Sequence, residues 1–148
     1  MNQSQIRSAL NVFLASNNLD IDSPHVILAG GAMALQGLDR EIRDIDIWLP
    51  GLPSKLEVVV DGVEFDAKPQ FDLGHWIWQK GVWDRRIRLE SGLEVMDLHD
   101  VLEMKLCLNR TKDQTDIRTL RSVLNIGESA CGRCWGDGCS DCGGLGYE

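Results

Sequence analysis

The chain has few aromatic residues other than tryptophan: one tyrosine and three phenylalanines stand beside five tryptophans in 148 residues. It also lacks a long hydrophobic run. The longest apolar stretch, Val26 to Leu35, is broken by Gly30 and Gly31 and falls short of the roughly 18 residues a membrane span needs. The opening "MNQSQIRSALNVFLASNN" has neither the basic start nor the unbroken apolar core of a secretory signal. A cytosolic protein with no membrane partner is the expectation. Excess positive charge is missing too. The net charge of −8 argues against broad, sequence-independent nucleic-acid binding, although it leaves room for a local basic strip. No Gly-x-Ser-x-Gly, P-loop or Rossmann fingerprint occurs. His25, His75 and His99 share no metal-ligand spacing, so structural or solvent-exposed roles are expected for each.

What is present reads as an ordinary globular composition, 43% hydrophobic and 26% charged, and one domain with a real core. Ile6, Leu10, Phe13 and Leu14 recur at helical spacing, which predicts an amphipathic helix over 3–17. "HVILA" is a short buried strand, and "AMALQGL" a short helix closed by Gly37. "DIDIWL" alternates as a half-buried strand does. "LEVVVDGVEFDAK" carries Asp61-Gly62 between two β-rich runs, a hairpin signal. "HWIWQKGVWDRRIRLESGLEVM" reads as further strand, interrupted at Gly81 and at Ser91-Gly92. From Leu98 the pattern is helical, with Asp97 as N-cap, in two helices or one bent one. Cys107, among apolar helix positions, reads as a small buried residue. The chain therefore divides into a mixed body over 1–125, a linker over 126–130 and a cysteine tail over 131–148.

Residues two apart on a strand project from one face, about 6.5–7 Å apart. Asp44 and Asp46 thus aim two carboxylates at one spot. Hard cations such as Mg²⁺ take one or two carboxylates together with water and substrate phosphates. Paired metal ions can activate an attacking oxygen and stabilise a leaving one. Asp66, on a strand pattern that pairs beside "DIDIWL", is the candidate third carboxylate. Gly30-Gly31 lies at a strand-to-helix turn, where backbone N–H groups can approach phosphate.

With these residues in view, "LAGGAMALQGLDREIRDIDIWL" resembles the signature of the nucleotidyltransferase superfamily, and most of all its minimal, AbiEii-toxin-like type. The matching positions are Gly30, Gly31, Ala34, Leu35, Gly37, Leu38, Arg40, Asp44 and Asp46. Ile42 departs from the threonine often found there. The likeness runs over about residues 5–125. "GVEFDAKP" resembles the strand that carries the third carboxylate, Asp66. "LEVMDLHDVLEMKLCLNRTKDQTDIRTL" resembles the later helical segment through Lys105, Arg110, Lys112, Asp113 and Asp116.

The resemblance implies an α+β fold, a nucleotidyltransferase-like mixed sheet flanked by helices. It implies transfer of an NMP from an NTP to an acceptor hydroxyl on an RNA end, a protein or a small molecule. Asp44, Asp46 and Asp66 would be catalytic and hold Mg²⁺ (or Mn²⁺). Gly30, Gly31 and Lys105 would contact the nucleotide, with Asp113 and Asp116 orienting basic groups. A cognate antitoxin is a partner to look for. The alternative is a catalytically inactive member of the fold, a binding module for nucleic acid or protein.

The tail "CGRCWGDGCSDCGGLG" is C-x-x-C-x-G-x-G twice over. Cys131, Cys134, Cys139 and Cys142 supply four thiolates, enough for one closed, structural Zn²⁺ site, and the repeats resemble those of DnaJ-type co-chaperones. Nothing like a J-domain precedes them, so co-chaperone function does not follow. A redox CxxC pair is the competing reading. Such an appendage would order around its metal, either stapling the C-terminus or presenting Arg133 and Trp135 to a partner. Finally, Trp76, Trp78 and Trp83 with Arg85, Arg86 and Arg88 could form an aromatic and basic RNA surface. The competing reading places Trp76 and Trp78 in the core.

Overall fold

The structure, a computed structural model, describes residues 2–38, 40, 42, 44–70 and 79–125. The chain divides into two compact units, Met1–Asp97 and Leu98–Glu148.

The first unit is built on a six-stranded mixed sheet. In chain order it contains α1 (Gln3–Ala15), β1 (Val26–Ile27), α2 (Ala29–Leu35), β2 (Asp44–Trp48), β3 (Leu56–Val60), β4 (Val63–Lys68), α3 (Gln79–Asp84), β5 (Ile87–Arg88) and β6 (Glu94–Val95). The spatial order is β3-β4-β2-β1-β6-β5. β2 runs parallel to β4 and antiparallel to β1, while β1 runs parallel to β6. The hairpins β3–β4 and β5–β6 close the two edges.

Local chemistry accounts for most of these boundaries. Asn2 caps α1, its side chain accepting from the Gln5 N–H while Gln5 returns a bond to the Asn2 N–H, each 2.9 Å. α2 ends in a Schellman arrangement. The Leu38 N–H reaches the Met33 carbonyl and the Gly37 N–H the Ala34 carbonyl, both 3.1 Å, with Gly37 at φ +92. The β3–β4 turn places Asp61 and Gly62 both at positive φ, the requirement of a two-residue hairpin.

Alternation sorts the sheet into a buried and an open face. Ile45 and Ile47 of β2, with Val63, Phe65 and Ala67 of β4, are buried. They face the apolar side of α1, where the Phe13 and Phe65 rings stack at 5.1 Å. The intervening residues of β2 and β4 are exposed or half-buried, and among them are all the charged ones. β3 connects β2 to β4 yet lies outside β4, so β4 slots in beside β2 as a parallel neighbour.

Two readings of the sequence need correction. Residues 79–84 form the short helix α3, not strand, so Trp83 does not follow strand alternation. Among the described residues of that region, strand is confined to β5 and β6, joined through Gly92 at φ +92. Also, Cys107 is half-buried rather than buried.

The second unit, as far as described, comprises α4 (Leu98–Leu108), one 3-10 turn (Thr111–Asp113) and α5 (Gln114–Val123). Asn109, at φ +45, separates two distinct helices. Among the described residues no helix is long and apolar enough to cross a membrane. The Cys131, Cys134, Cys139 and Cys142 zinc reading lies outside the described residues, as do His75, Trp76, Trp78, Arg133 and Trp135.

Candidate active site

The open face of β2 and β4 gathers acid. Asp44 stands opposite Glu64 and Asp46 opposite Asp66 in the parallel register, and Glu57 of β3 pairs with Asp66 from the other side. A cleft of about 410 Å³ is lined by Asp44, Glu57, Glu64 and Asp66, with Val58, Val59 and Phe65. The three aspartates singled out from sequence are therefore brought together.

Their crowding has an electrostatic signature. The Asp46 carboxyl is pushed up to about 6, first by burial, then by the charges of Asp44 and Asp66, while Lys68 draws it partly back. Asp66 holds a buried carboxylate oxygen, Oδ1, with no hydrogen-bond partner. An unpartnered buried acceptor is expensive. Oxygen donors, surplus negative charge and an orphaned acceptor together fit a hard divalent cation. Among the described residues no three His, Cys, Asp or Glu side chains already converge on one point as a metal cage. Mg²⁺ does not require one, since it usually takes one or two carboxylates and completes its shell with water and phosphate.

The glycine pair follows β1, the strand beside β2. The Leu28 N–H donates to the Asp46 carbonyl at 2.8 Å, and the chain then turns at Ala29, whose φ of +53 is strained for a residue with a Cβ. Both glycines answer to neighbours within the chain. A Cβ on Gly30 would sit 3.1 Å from Arg40 Nη2, so Gly30 seats a guanidinium. A Cβ on Gly31 would lie 3.0 Å from Ile27 Cγ2 and 3.4 Å from Ile45 Cδ1, so Gly31 lets α2 press onto the sheet. The first-turn N–H groups here have no intrahelical acceptor.

Lys105 belongs to the second unit and is 4% exposed. Its ammonium sits 3.0 Å from Asp116 and 3.3 Å from Asp113. Asp113 also accepts from Arg110 Nε at 2.8 Å, Nη2 at 3.0 Å and the backbone N–H at 3.1 Å. Burial alone would raise the Asp113 carboxyl; the Arg110 hydrogen bonds and the Lys105 charge outweigh it and hold it below the usual range. The motif Lys105–Arg110–Asp113–Asp116 thus closes on itself as an ion network.

Three features of the first unit add to what the sequence names. Glu57 joins the acidic face only through the β3–β4–β2 order, whereas Glu64, two residues from Asp66 on β4, follows from alternation. His25 is a fully buried residue whose Nδ1 lies 2.9 Å from the Ser23 carbonyl oxygen and whose Nε2 accepts from the Glu94 N–H at 3.1 Å. That pattern fixes the neutral, Nδ1-protonated ring, and burial lowers its pKa. Trp48 extends the acidic face into an aromatic one, a placement that alternation from Asp44 and Asp46 would have supplied.

Among solved structures, the chain is similar to JHP933 from Helicobacter pylori, with a TM-score of 0.49 and 12% identity. The similarity covers 82% of this chain and 68% of that one, and supports no inference about function. No protein-family profile matches the chain, and no curated protein matches it.

Proposed function

We propose that the protein is a metal-dependent nucleotidyltransferase of the minimal, AbiEii-toxin-like type, moving an NMP from an NTP to an acceptor hydroxyl. One observation carries this reading: Asp44, Asp46 and Asp66 share one face of adjacent parallel strands, with the Asp46 carboxyl raised to about 6 and an Asp66 oxygen left unpartnered. Such a cluster is costly to fold around and useful only to a cation or a proton.

Asp44 and Asp46 would hold Mg²⁺ or Mn²⁺. When bound there, the ion neutralises the triphosphate and polarises the α-phosphate. Asp66 accepts the proton of the acceptor hydroxyl. The acceptor oxygen bonds to the α-phosphorus, and the bond to the bridging oxygen breaks, releasing pyrophosphate. The turn at Ala29–Gly31 offers its N–H groups to phosphate oxygens. Positioning and charge neutralisation supply most of the acceleration.

A second reading, a catalytically inactive module of the same fold that presents a zinc-stapled tail to nucleic acid or protein, draws on the internal use of Gly30, Gly31 and Lys105. Thermal unfolding with each NTP, with and without Mg²⁺, tests the nucleotide site without knowledge of the acceptor. Ligand at about 100 times its Kd stabilises by roughly 2.7 kcal/mol, and the shift should vanish in Asp44→Asn/Asp46→Asn. Absence of any Mg²⁺-dependent shift in folded wild type would reject the transferase. The same absence would favour the module.

A further inference from the structure

The two edges of the sheet are built differently. β5 is two residues long, Ile87–Arg88, and a short, charged edge offers little to another strand. β3 is the longer edge, five residues that pair with β4 without a bulge. Its sequence, LEVVV, ends in three β-branched residues and holds neither proline nor lysine. Among the described residues no strand lies beyond it. Alternate residues of β3 turn their N–H and C=O groups away from β4, and an edge without guards is a template for further pairing. Its side chains are incompletely covered as well. Leu56, Val58 and Val60 stand opposite the buried Ala67, Phe65 and Val63, yet remain half-buried themselves. On the open face Val59 is 61% exposed. Lys55 and Asp61 flank the strand, both exposed, and among the described residues neither is held in an ion pair.

We infer that β3 pairs antiparallel with β3 of a second copy of this chain, joining two six-stranded sheets into one across a two-fold axis at Val58. The register follows from the sequence. Residues directly opposite one another share a sheet face, so a symmetric pairing centres on a residue. Centred on Glu57, it sets Glu57 against itself. Centred on Val59, it sets each Glu57 against the other copy's Asp61. Centred on Val58, it pairs the whole strand and opposes no like charges. On the α1 side Leu56 meets Val60 and Val58 meets Val58, which completes the cover those three side chains lack. On the open face Val59 meets the aliphatic stem of Glu57, and each Lys55 meets the other copy's Asp61. Apolar and opposite-charge pairs across strands stabilise, and like charges opposed destabilise. A notch of about 570 Å³ between the Asp61–Gly62 turn and Asn2, Ser4 and Gln5 at the start of α1 leaves room for the incoming lysine. The contact is one strand edge with an ion pair at each end, so the dimer depends on concentration. Its axis is perpendicular to the sheet, and the two acidic clefts open on the same side. The dimer is independent of the transferase reading.

Sedimentation equilibrium of the full chain over a series of concentrations should resolve a monomer–dimer equilibrium. Lys55→Glu sets a carboxylate against Asp61 at both ends of the seam and should raise the dimer Kd by about tenfold or more. Val59→Glu, opposed to the other copy's Glu57, should do the same. Lys55→Glu/Asp61→Lys restores opposite charges in the reversed sense and should recover most of the affinity. Unfolding temperatures of the variants separate lost pairing from lost folding. Hydrogen exchange supplies a readout without substitutions: the β3 amides should gain protection as protein concentration rises, and those of β5 should not. A monomer at every concentration overturns the inference, as does a dimer indifferent to both Lys55→Glu and Val59→Glu in folded protein. Protection of β3 that is equal in dilute and concentrated samples also overturns it, because the edge is then covered by a segment of the same chain. A folded Lys55→Glu/Asp61→Lys protein that stays as weak as Lys55→Glu overturns the register centred on Val58.

Discussion

Asp46 and Asp66 are register partners across the parallel pair β2–β4, two carboxylates side by side on the open face of the sheet. Burial first, and then this proximity with Asp44 two residues away, raises the Asp46 carboxyl and makes the stability of the fold depend on pH.

In the unfolded chain the Asp46 carboxyl returns to its ordinary 3.8, against about 6 when folded. The folded state therefore binds the proton more readily, and stability rises as pH falls through about 6, the gain being complete below the ordinary value. At neutral pH the ionised carboxylate costs on the order of 2–3 kcal/mol. Asp46→Asn should thus be the more stable protein at pH 7.5, and its advantage should fade by pH 4. Urea unfolding at a series of pH values decides this; equal stability at pH 7.5 would mean the carboxylates do not crowd one another.

His25 acts in the opposite direction. Its folded pKa lies below the ordinary 6.5, so the neutral ring's contribution is intact above 6.5 and is lost as pH falls below it. The two groups oppose each other as the pH falls below about 6. Asp46→Asn should uncover a fall in stability on acidification, and that fall should disappear when His25→Gln is added. A wild-type profile as steep as that of Asp46→Asn would contradict the opposition.

The two glycines should behave differently. Gly31→Ala drives a methyl against Ile27 and Ile45, both buried, and overpacking of this kind costs about 1–3 kcal/mol. Gly30→Ala meets only the mobile end of Arg40 and should cost under about 1 kcal/mol. Calorimetry of the two single variants distinguishes them, and equal losses would contradict the seat assigned to Arg40.

Lys105→Met leaves Asp113 and Asp116 in the interior without their ammonium. Breaking a buried pair in this way costs about 3–5 kcal/mol, a fall of roughly 10 °C in Tm for a chain this long. Adding Asp116→Asn should return part of the loss. A nucleotide-contacting lysine would show the reverse: unchanged Tm, and a weakened NTP shift.

Much of the architecture was legible because it depends on short-range chemistry. The periodicity of Ile6, Leu10, Phe13 and Leu14 gave α1, Asp61-Gly62 gave the hairpin, and the alternation of "DIDIWL" gave β2 with its two aspartates outward. Asp66 was legible as a third carboxylate for the same reason. Long-range order was not. Nothing local says that β3 lies outside β4, so Glu57 could not be assigned to the acidic face. Residues 79–84 misled because Val82 and Trp83 favour strands, and helix forms there against propensity, with Val82 buried and Trp83 set against Trp48. Lys105 and its acids could be named only through the family resemblance, and the fold adds that they satisfy one another.

The placement of β4 between β2 and β3 also bears on how fast the protein folds. All three aspartates come from one short run of chain, Asp44 to Asp66, whose strands contact each other across small sequence separations. Contacts of that kind close early. If the β2–β4–β3 element forms in the transition state, the charge repulsion is met on the way up the barrier rather than after it. Acid or a divalent cation would then act chiefly on the refolding rate and leave unfolding nearly unchanged. The feature that gathers the carboxylates on one face would also make the sheet's assembly sensitive to the ions around it.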